Sequence, residues 1–102
     1  MKNMNDEYAE LLYDAVLQLK TPDECRRFFD DLCTISELRS MSQRMEVAMM
    51  LYNKRVYTDI AEKTGASTAT ISRVNKCLNY GTDGYNIVLK RLKSKEKSDD
   101  KL

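Results

Sequence analysis

One segment in the second half of the chain has the residue types and spacing of a helix-turn-helix. Ala61 is small enough to let two helix backbones approach, and Gly65, four residues later, tolerates the positive φ of a tight turn. Ile71, six residues after the glycine, can bury its branched side chain against the first helix. Together with Ile60 and Val74 it would form an apolar wedge between the two helices. Such a segment typically places its second helix in the major groove of DNA.

The start of that second helix carries side chains that suit a DNA groove. Small hydroxyl- or methyl-bearing groups let a helix N-terminus approach base edges and thymine methyls, and here they are Ser67, Thr68, Ala69 and Ser72. Five basic residues surround them, against the acids Asp59 and Glu62, and could contact phosphates: Lys54, Arg55, Lys63, Arg73 and Lys76. We therefore predict that the helix-turn-helix, residues 57–79, binds double-stranded DNA. The alternative is a structural helical hairpin.

The elements that must position this segment are also predicted to be helices, because apolar residues recur with helical spacing and no strand pattern is present. Thr21 and Pro22 are suited to start a helix, and Thr34 with Glu37 has the spacing of a capping box. The sequence predicts an all-α chain with helices near Asn5–Lys20, from Pro22 to about Cys33, from Thr34 to about Asn53, at Thr58–Thr64, at Thr68–Asn79 and at Tyr85–Leu92.

Domain organisation follows from these elements. We expect one helical domain over residues 1–92, with N-terminal helices in 1–53 and a C-terminal helix in 82–92. Ile87, Val88 and Leu92 should face inward in that last helix. The charged residues 93–102 lack apolar anchors and are predicted to be a disordered tail.

Composition limits the functions that this chain can have. It has no histidine, and its three cysteines (Cys25, Cys33 and Cys77) lack metal-ligand spacing. No paired carboxylates or glycine-rich phosphate loop are framed for catalysis, so we expect no enzyme, no metal and no cofactor. The absence of a long apolar run or signal peptide favours a cytoplasmic protein without membrane contact.

The net charge of +1 conceals an asymmetry between the two halves of the chain. Residues 1–37 carry four basic and nine acidic residues, whereas residues 38–102 carry thirteen basic and seven acidic ones. A basic half suits phosphate, and an acidic half can face a partner. A second hypothesis is therefore a helical interaction module that docks a protein such as RNA polymerase.

From Thr34 to about Leu92 the sequence resembles the Trp repressor family. The resemblance rests on Thr34 and Glu37 opening a long helix, on Met41 and Arg44 within it, and on the run GASTATISRVNKCLN from Gly65. It implies six helices and an intertwined homodimer. It further implies a transcriptional regulator, most simply a repressor, on a pseudo-palindromic operator whose half-sites lie about one helical turn apart.

The resemblance also implies a site for a small-molecule effector. In that family two arginines enclose an amino-acid corepressor, and the matching positions are Arg44 and Arg73, with Thr70 and the partner's Thr34 nearby. A planar guanidinium can both stack on a ring and pair with a carboxylate. Val74 stands where the family has glycine and Asp31 where it has leucine. Both departures argue against tryptophan, so the effector is unknown.

Overall fold

The computed structural model describes residues 6–100, with side chains for residues 6–96. This range contains helices and no strand, as predicted, and none of its helices is both long and apolar enough to cross a membrane. The helices are α1 (Glu7–Val16), α2 (Pro22–Leu32), α3 (Ile35–Tyr52), α4 (Tyr57–Thr64), α5 (Thr68–Tyr80) and α6 (Gly84–Asp100).

Side-chain caps define the starts of the first three helices. Asp6 Oδ1 accepts the backbone N–H of Tyr8 at 2.8 Å and begins α1. Thr21 caps α2, as predicted, because its Oγ1 accepts the N–H of Glu24 at 3.1 Å. The predicted capping box is confirmed at α3, where Thr34 Oγ1 accepts the Glu37 N–H at 3.1 Å and Glu37 Oε1 accepts the Thr34 N–H at 2.8 Å.

The structure divides the chain into two compact units, one up to Leu38 and the other from Arg39. In the first unit neither α1 nor α2 buries any residue, although both have the predicted apolar faces. Tyr8 is 85% exposed and Leu11 68% exposed. These helices therefore present apolar surface that the unit itself does not cover.

The second unit has a well-defined core to which four helices and the turn after α4 contribute. The α4 helix packs against α5, and α5 against α6. The core residues are Val47, Ala48 and Met50 from α3, Ile60 from α4, Ala66 from the turn, Ile71 and Val74 from α5, and Leu89 from α6.

Two of the predicted helix boundaries differ from the structure. The first helix ends at Val16 and not near Lys20. Thr21, which precedes Pro22, is extended, as the residue before a proline usually is. Asn5, the predicted start of the first helix, lies outside the described residues. The last helix continues to Asp100 through the stretch predicted to be a disordered tail. Residues 93–100 contain no glycine or proline, and Lys and Glu are good helix formers. Residues 101 and 102 lie outside the described range.

The inward face of α6 was also predicted wrongly. Leu89 is fully buried, whereas Ile87, Val88 and Leu92 are each more than 40% exposed. Asn86 explains this rotation, because its Nδ2 donates to the Leu78 carbonyl oxygen of α5 at 2.9 Å. Leu89, three residues further on, lies on the same helix face as Asn86 and so turns toward the core.

Candidate nucleic-acid interface

The predicted apolar wedge of the helix-turn-helix is present. Ile60 and Ile71 are fully buried and Val74 is 1% exposed, so α4 and α5 share one packed contact. Ala61 is partly buried and packs against this core, as its small size predicts. This buried contact fixes the position of α5 relative to α4, so that the opposite, exposed face of α5 can contact a second molecule in a defined orientation.

Gly65 forms the turn in the conformation that the sequence predicts. It ends α4 with φ +74°, in the left-handed region, and its N–H donates to the Ala61 carbonyl oxygen at 2.9 Å. A side chain in that region costs about 1–2 kcal/mol. Thr64 stabilises the same turn, because its Oγ1 donates to the Ile60 carbonyl oxygen at 2.7 Å and accepts the Ala66 N–H at 3.1 Å.

At the start of α5, the four residues predicted to approach DNA are all exposed, but they differ in what they can offer. Ser67 is the N-cap, and its Oγ accepts the Thr70 N–H at 3.1 Å. Its hydroxyl is therefore already used. Thr68 and Ser72 make no side-chain hydrogen bond to any described residue, so their hydroxyls are available to a ligand. Ala69 adds an exposed methyl group.

The first turn of α5 contains no acidic residue. In contrast, the helices α1 to α4 each carry at least one carboxylate in their first turn. A carboxylate at that position would neutralise the partial positive charge of the helix N-terminus. Together with the exposed Thr68 and Ser72, this leaves the α5 N-terminus suited to approach a phosphate-rich surface.

All five basic residues predicted to contact phosphate are exposed. Among the described side chains, only Arg55 of these five is ion-paired, through its Nη2 to Asp59 Oδ2 at 3.7 Å, and both side chains are about half exposed. A solvent-exposed pair of this kind contributes at most about 1 kcal/mol, so Arg55 can exchange Asp59 for a phosphate at little cost.

Lys54 has a backbone role that its sequence position did not predict. It has φ +65° and closes α3 in a Schellman motif, where the Arg55 N–H donates to the Met50 carbonyl oxygen and the Lys54 N–H to the Leu51 carbonyl oxygen, both at 3.0 Å. Glycine or asparagine is usual at such a position. Lys54 therefore adopts this strained backbone at the start of the loop before α4, and its side chain is exposed there.

The residues predicted to hold an effector are placed as follows. Arg44 on α3 and Arg73 on α5 are both exposed. Thr34 Oγ1 is used in the capping box, and Thr70 Oγ1 accepts the Ser67 hydroxyl at 3.1 Å. Val74 points into the protein core. The two threonine hydroxyls thus have structural partners already, and a role for these four residues in effector binding stays a prediction.

Sequence reasoning missed Gln43 and Asn86, whose side chains donate to carbonyl groups near the C-terminal ends of α4 and α5. Gln43 Nε2 donates to the Thr64 carbonyl oxygen at 3.1 Å, and Asn86 Nδ2 to that of Leu78. In the sequence both look like ordinary polar surface residues, because nothing in their local pattern shows which carbonyl a distant helix will bring near.

Comparison with known proteins agrees with this geometry. The family model described as Trp repressor protein matches residues 2–93, which is most of the chain. The chain belongs to the Trp repressor family. This confirms the resemblance predicted from the sequence, and the family is a regulatory, non-enzymatic one.

Three relatives extend this assignment. The uncharacterized protein YerC of Bacillus subtilis (strain 168) is 56% identical over 85 residues, which cover 83% of this chain and 82% of YerC. The crystal structure of a TrpR-like protein from Eubacterium eligens ATCC 27750 is 60% identical, with a TM-score of 0.81, covering 86% of this chain and 91% of that one. A Staphylococcus aureus protein provisionally assigned as a Trp repressor is 45% identical, with a TM-score of 0.82 and coverages of 87% and 89%.

Proposed function

We propose that this member of the Trp repressor family is a sequence-specific DNA-binding transcriptional regulator, most simply a repressor that blocks polymerase by occupying its operator. The observation that carries the proposal is the exposed start of α5, where unbonded hydroxyls of Thr68 and Ser72 and the methyl of Ala69 project from a helix locked by a buried wedge. The surrounding basic side chains would contact phosphates and position α5 in the major groove.

A homodimer is the second part of the proposal, and the first unit supports it. Its helices bury no residue, and Leu17 and Ile35 are 77% and 74% exposed. Extended apolar surface of this kind marks a contact with another molecule. A second copy is the partner we favour, because a two-fold dimer would bring two α5 helices to successive major grooves of a pseudo-palindromic site.

Effector control is a separate part of the proposal. Arg44 and Arg73 are exposed and could enclose a planar ligand that carries a carboxylate. Val74, which stands where the family has glycine, is buried in the core. Asp31, which stands where the family has leucine, is an exposed carboxylate that would repel a carboxylate ligand placed near it. We therefore expect tryptophan to bind poorly, and propose no specific effector.

The deciding experiment is a selection of the purified protein against a randomised duplex pool over several rounds, analysed by gel shift. It should be run with and without a mixture of the twenty amino acids, and at two salt concentrations. A recovered pseudo-palindrome, bound less tightly at the higher salt, is the expected outcome. Dependence on an amino acid would then identify the effector.

Two other outcomes would change the proposal. Binding that is sequence-independent would reduce the function to non-specific DNA association. No DNA binding at all, combined with salt-insensitive binding to purified RNA polymerase, would favour the interaction module. In that case the exposed acidic side chains of the first unit, such as Asp23, Asp30 and Asp31, would be the surface to mutate.

A further inference from the structure

Gln43 links the long helix α3 to the turn of the helix-turn-helix. Its Nε2 donates to the Thr64 carbonyl oxygen at 3.1 Å, across 21 positions of sequence, in a partly buried setting. Thr64 is the last residue of α4, so its carbonyl is one of those that a helix end leaves without an intrahelical partner. Gln43 supplies the missing donor.

The peptide group between Thr64 and Gly65 is consequently held at both ends. Its carbonyl oxygen accepts from Gln43, and its N–H, which belongs to Gly65, donates to the Ala61 carbonyl oxygen at 2.9 Å. Because a peptide group is planar, these two hydrogen bonds together restrict its rotation about the chain. Loss of either hydrogen bond would allow the Thr64–Gly65 peptide group to rotate more freely.

This peptide precedes the residue with the greatest backbone freedom in the turn. Gly65 has φ +74°, and an added Cβ there would meet no atom within 4 Å, so local packing does little to restrict it. Glycine populates many backbone conformations with similar energies. A small rotation at this point would change the direction in which α5 leaves the turn.

We propose that Gln43 is a positioning residue for DNA recognition, which sets the orientation of α5 relative to α3 by holding the Thr64–Gly65 peptide. The inference rests on the proposed DNA-binding function and extends it to a residue that lies outside the predicted DNA-contacting set. Gln43 acts through the turn, and the base and phosphate contacts belong to α5 and its basic neighbours.

The first test replaces Gln43 with methionine, which keeps the length of the side chain and removes its donor. In the full-length protein, Gln43→Met should lower affinity for the selected operator roughly three- to tenfold, as expected for one net hydrogen bond. Affinity for a scrambled duplex and its salt dependence should not change. Circular dichroism and thermal melting check that the variant is folded.

Gln18→Met is the matched control. Gln18 Nε2 also donates to a backbone carbonyl, that of Asp14 at 3.3 Å, but it does so beyond the end of α1 in the first unit. The same chemical group is removed, and the ratio of operator to scrambled-duplex affinity should equal that of the unmodified protein.

Gln43→Glu adds a readout that a general packing defect would not reproduce. Near neutral pH its carboxylate would face the Thr64 carbonyl oxygen and repel it, so operator preference should fall at least as far as in the methionine variant. Below a pH of about 4, under the ordinary glutamate pKa of about 4.3, the protonated carboxyl can donate, and the preference should recover relative to the unmodified protein measured in parallel.

The outcomes separate this inference from the function on which it rests. If the unmodified protein selects an operator and both Gln43 variants keep its full preference, the positioning role is wrong and the DNA-binding proposal stands. If the unmodified protein shows no sequence preference, the proposed function fails and the role of Gln43 fails with it.

Discussion

Ser67 and Thr70 are joined by two hydrogen bonds at the start of α5. The Thr70 N–H donates to Ser67 Oγ, and the Ser67 hydroxyl donates to Thr70 Oγ1, both at 3.1 Å. The pair satisfies one of the backbone donors that a helix N-terminus leaves unpaired. Within the surface proposed to contact DNA, these two residues therefore serve helix stability, whereas Thr68 and Ser72 keep their hydroxyls available.

Substitution at Ser67 should separate stability from DNA binding. Ser67→Ala removes the cap and should lower the free energy of unfolding by about 1 kcal/mol. Ser67→Asp keeps a capping oxygen and adds a negative charge that favours the helix dipole, so stability should be retained. DNA affinity should nevertheless fall at least tenfold, because that charge would face phosphates. Urea denaturation and gel shifts measure the two effects.

Thr21→Asp is the control for this charge change, since Thr21 caps α2 in the first unit with the same geometry. It should alter DNA affinity much less than Ser67→Asp. Equal losses from the two variants would show that the effect is one of net charge and would count against α5 as the DNA-contacting helix.

Thr68 and Lys76 should contribute to DNA binding in different ways. Thr68→Ala should reduce the preference for the operator over a scrambled duplex roughly fivefold, since it removes an unbonded hydroxyl and a methyl that face the groove. Lys76→Ala should weaken binding to both duplexes alike. The slope of log affinity against log salt concentration (the salt slope) should become smaller in magnitude by about 1 per half-site. Titrations at several salt concentrations distinguish them, and an unchanged preference in Thr68→Ala would mean that the register of α5 is wrong.

Lys54→Gly should make the protein more stable and a weaker DNA binder. Glycine relieves the cost of φ +65°, and after its own entropic cost the gain should be about 0.5–1 kcal/mol in the free energy of unfolding. The loss of a phosphate contact should lower the salt slope. Lys54→Ala removes the charge but keeps the strained backbone, so thermal melting should show no comparable gain.

Glu37 should make part of the stability dependent on pH. The N–H of Thr34, and then its hydroxyl, hold the pKa of this carboxyl below its ordinary value of 4.5. Because the folded pKa is the lower one, the associated stability is present above pH 4.5 and is lost as the pH falls through the folded pKa. Glu37→Gln can still form the capping box but cannot ionise, so this component should disappear.

Urea denaturation from pH 7 to pH 3 measures that difference. The advantage of the unmodified protein over Glu37→Gln should be greatest near neutral pH and should shrink on acidification. Glu46→Gln, which removes a carboxylate from the same helix outside the capping box, is the control. An advantage that grows as the pH falls would contradict the assignment.

Leu11→Glu should dissociate the proposed homodimer. Leu11 lies in the middle of α1 and is 68% exposed in the isolated chain, so in a dimer a charge there would be buried without a partner. Light scattering after size exclusion should show a monomer, and affinity for a two-site operator should fall tenfold or more, as expected when two linked binding events become independent. Glu10→Gln, on the neighbouring exposed position, should leave the dimer intact. A dimeric Leu11→Glu variant would place the interface elsewhere.

The sequence by itself determined the local structure around the proposed site. Helix starts could be predicted at Thr21 and Thr34 because a cap depends on residues three positions apart. Gly65 could be predicted in the turn because few other residues tolerate a positive φ. The buried wedge of Ile71 and Val74 followed from helical periodicity. All of these depend on short-range chemistry that is written directly in the order of the residues.

Only the tertiary structure decided which distant groups meet and which apolar faces the chain covers. The bond from Gln43 to the Thr64 carbonyl depends on how α3 packs beside the turn, and the burial of Leu89 in place of its apolar neighbours depends on how Asn86 anchors α6. Periodicity predicted a stripe on α6, but several rotations of a helix can bury some apolar residue. The energies of side chains brought together from distant positions select among them, and the sequence pattern of a single helix does not contain that information.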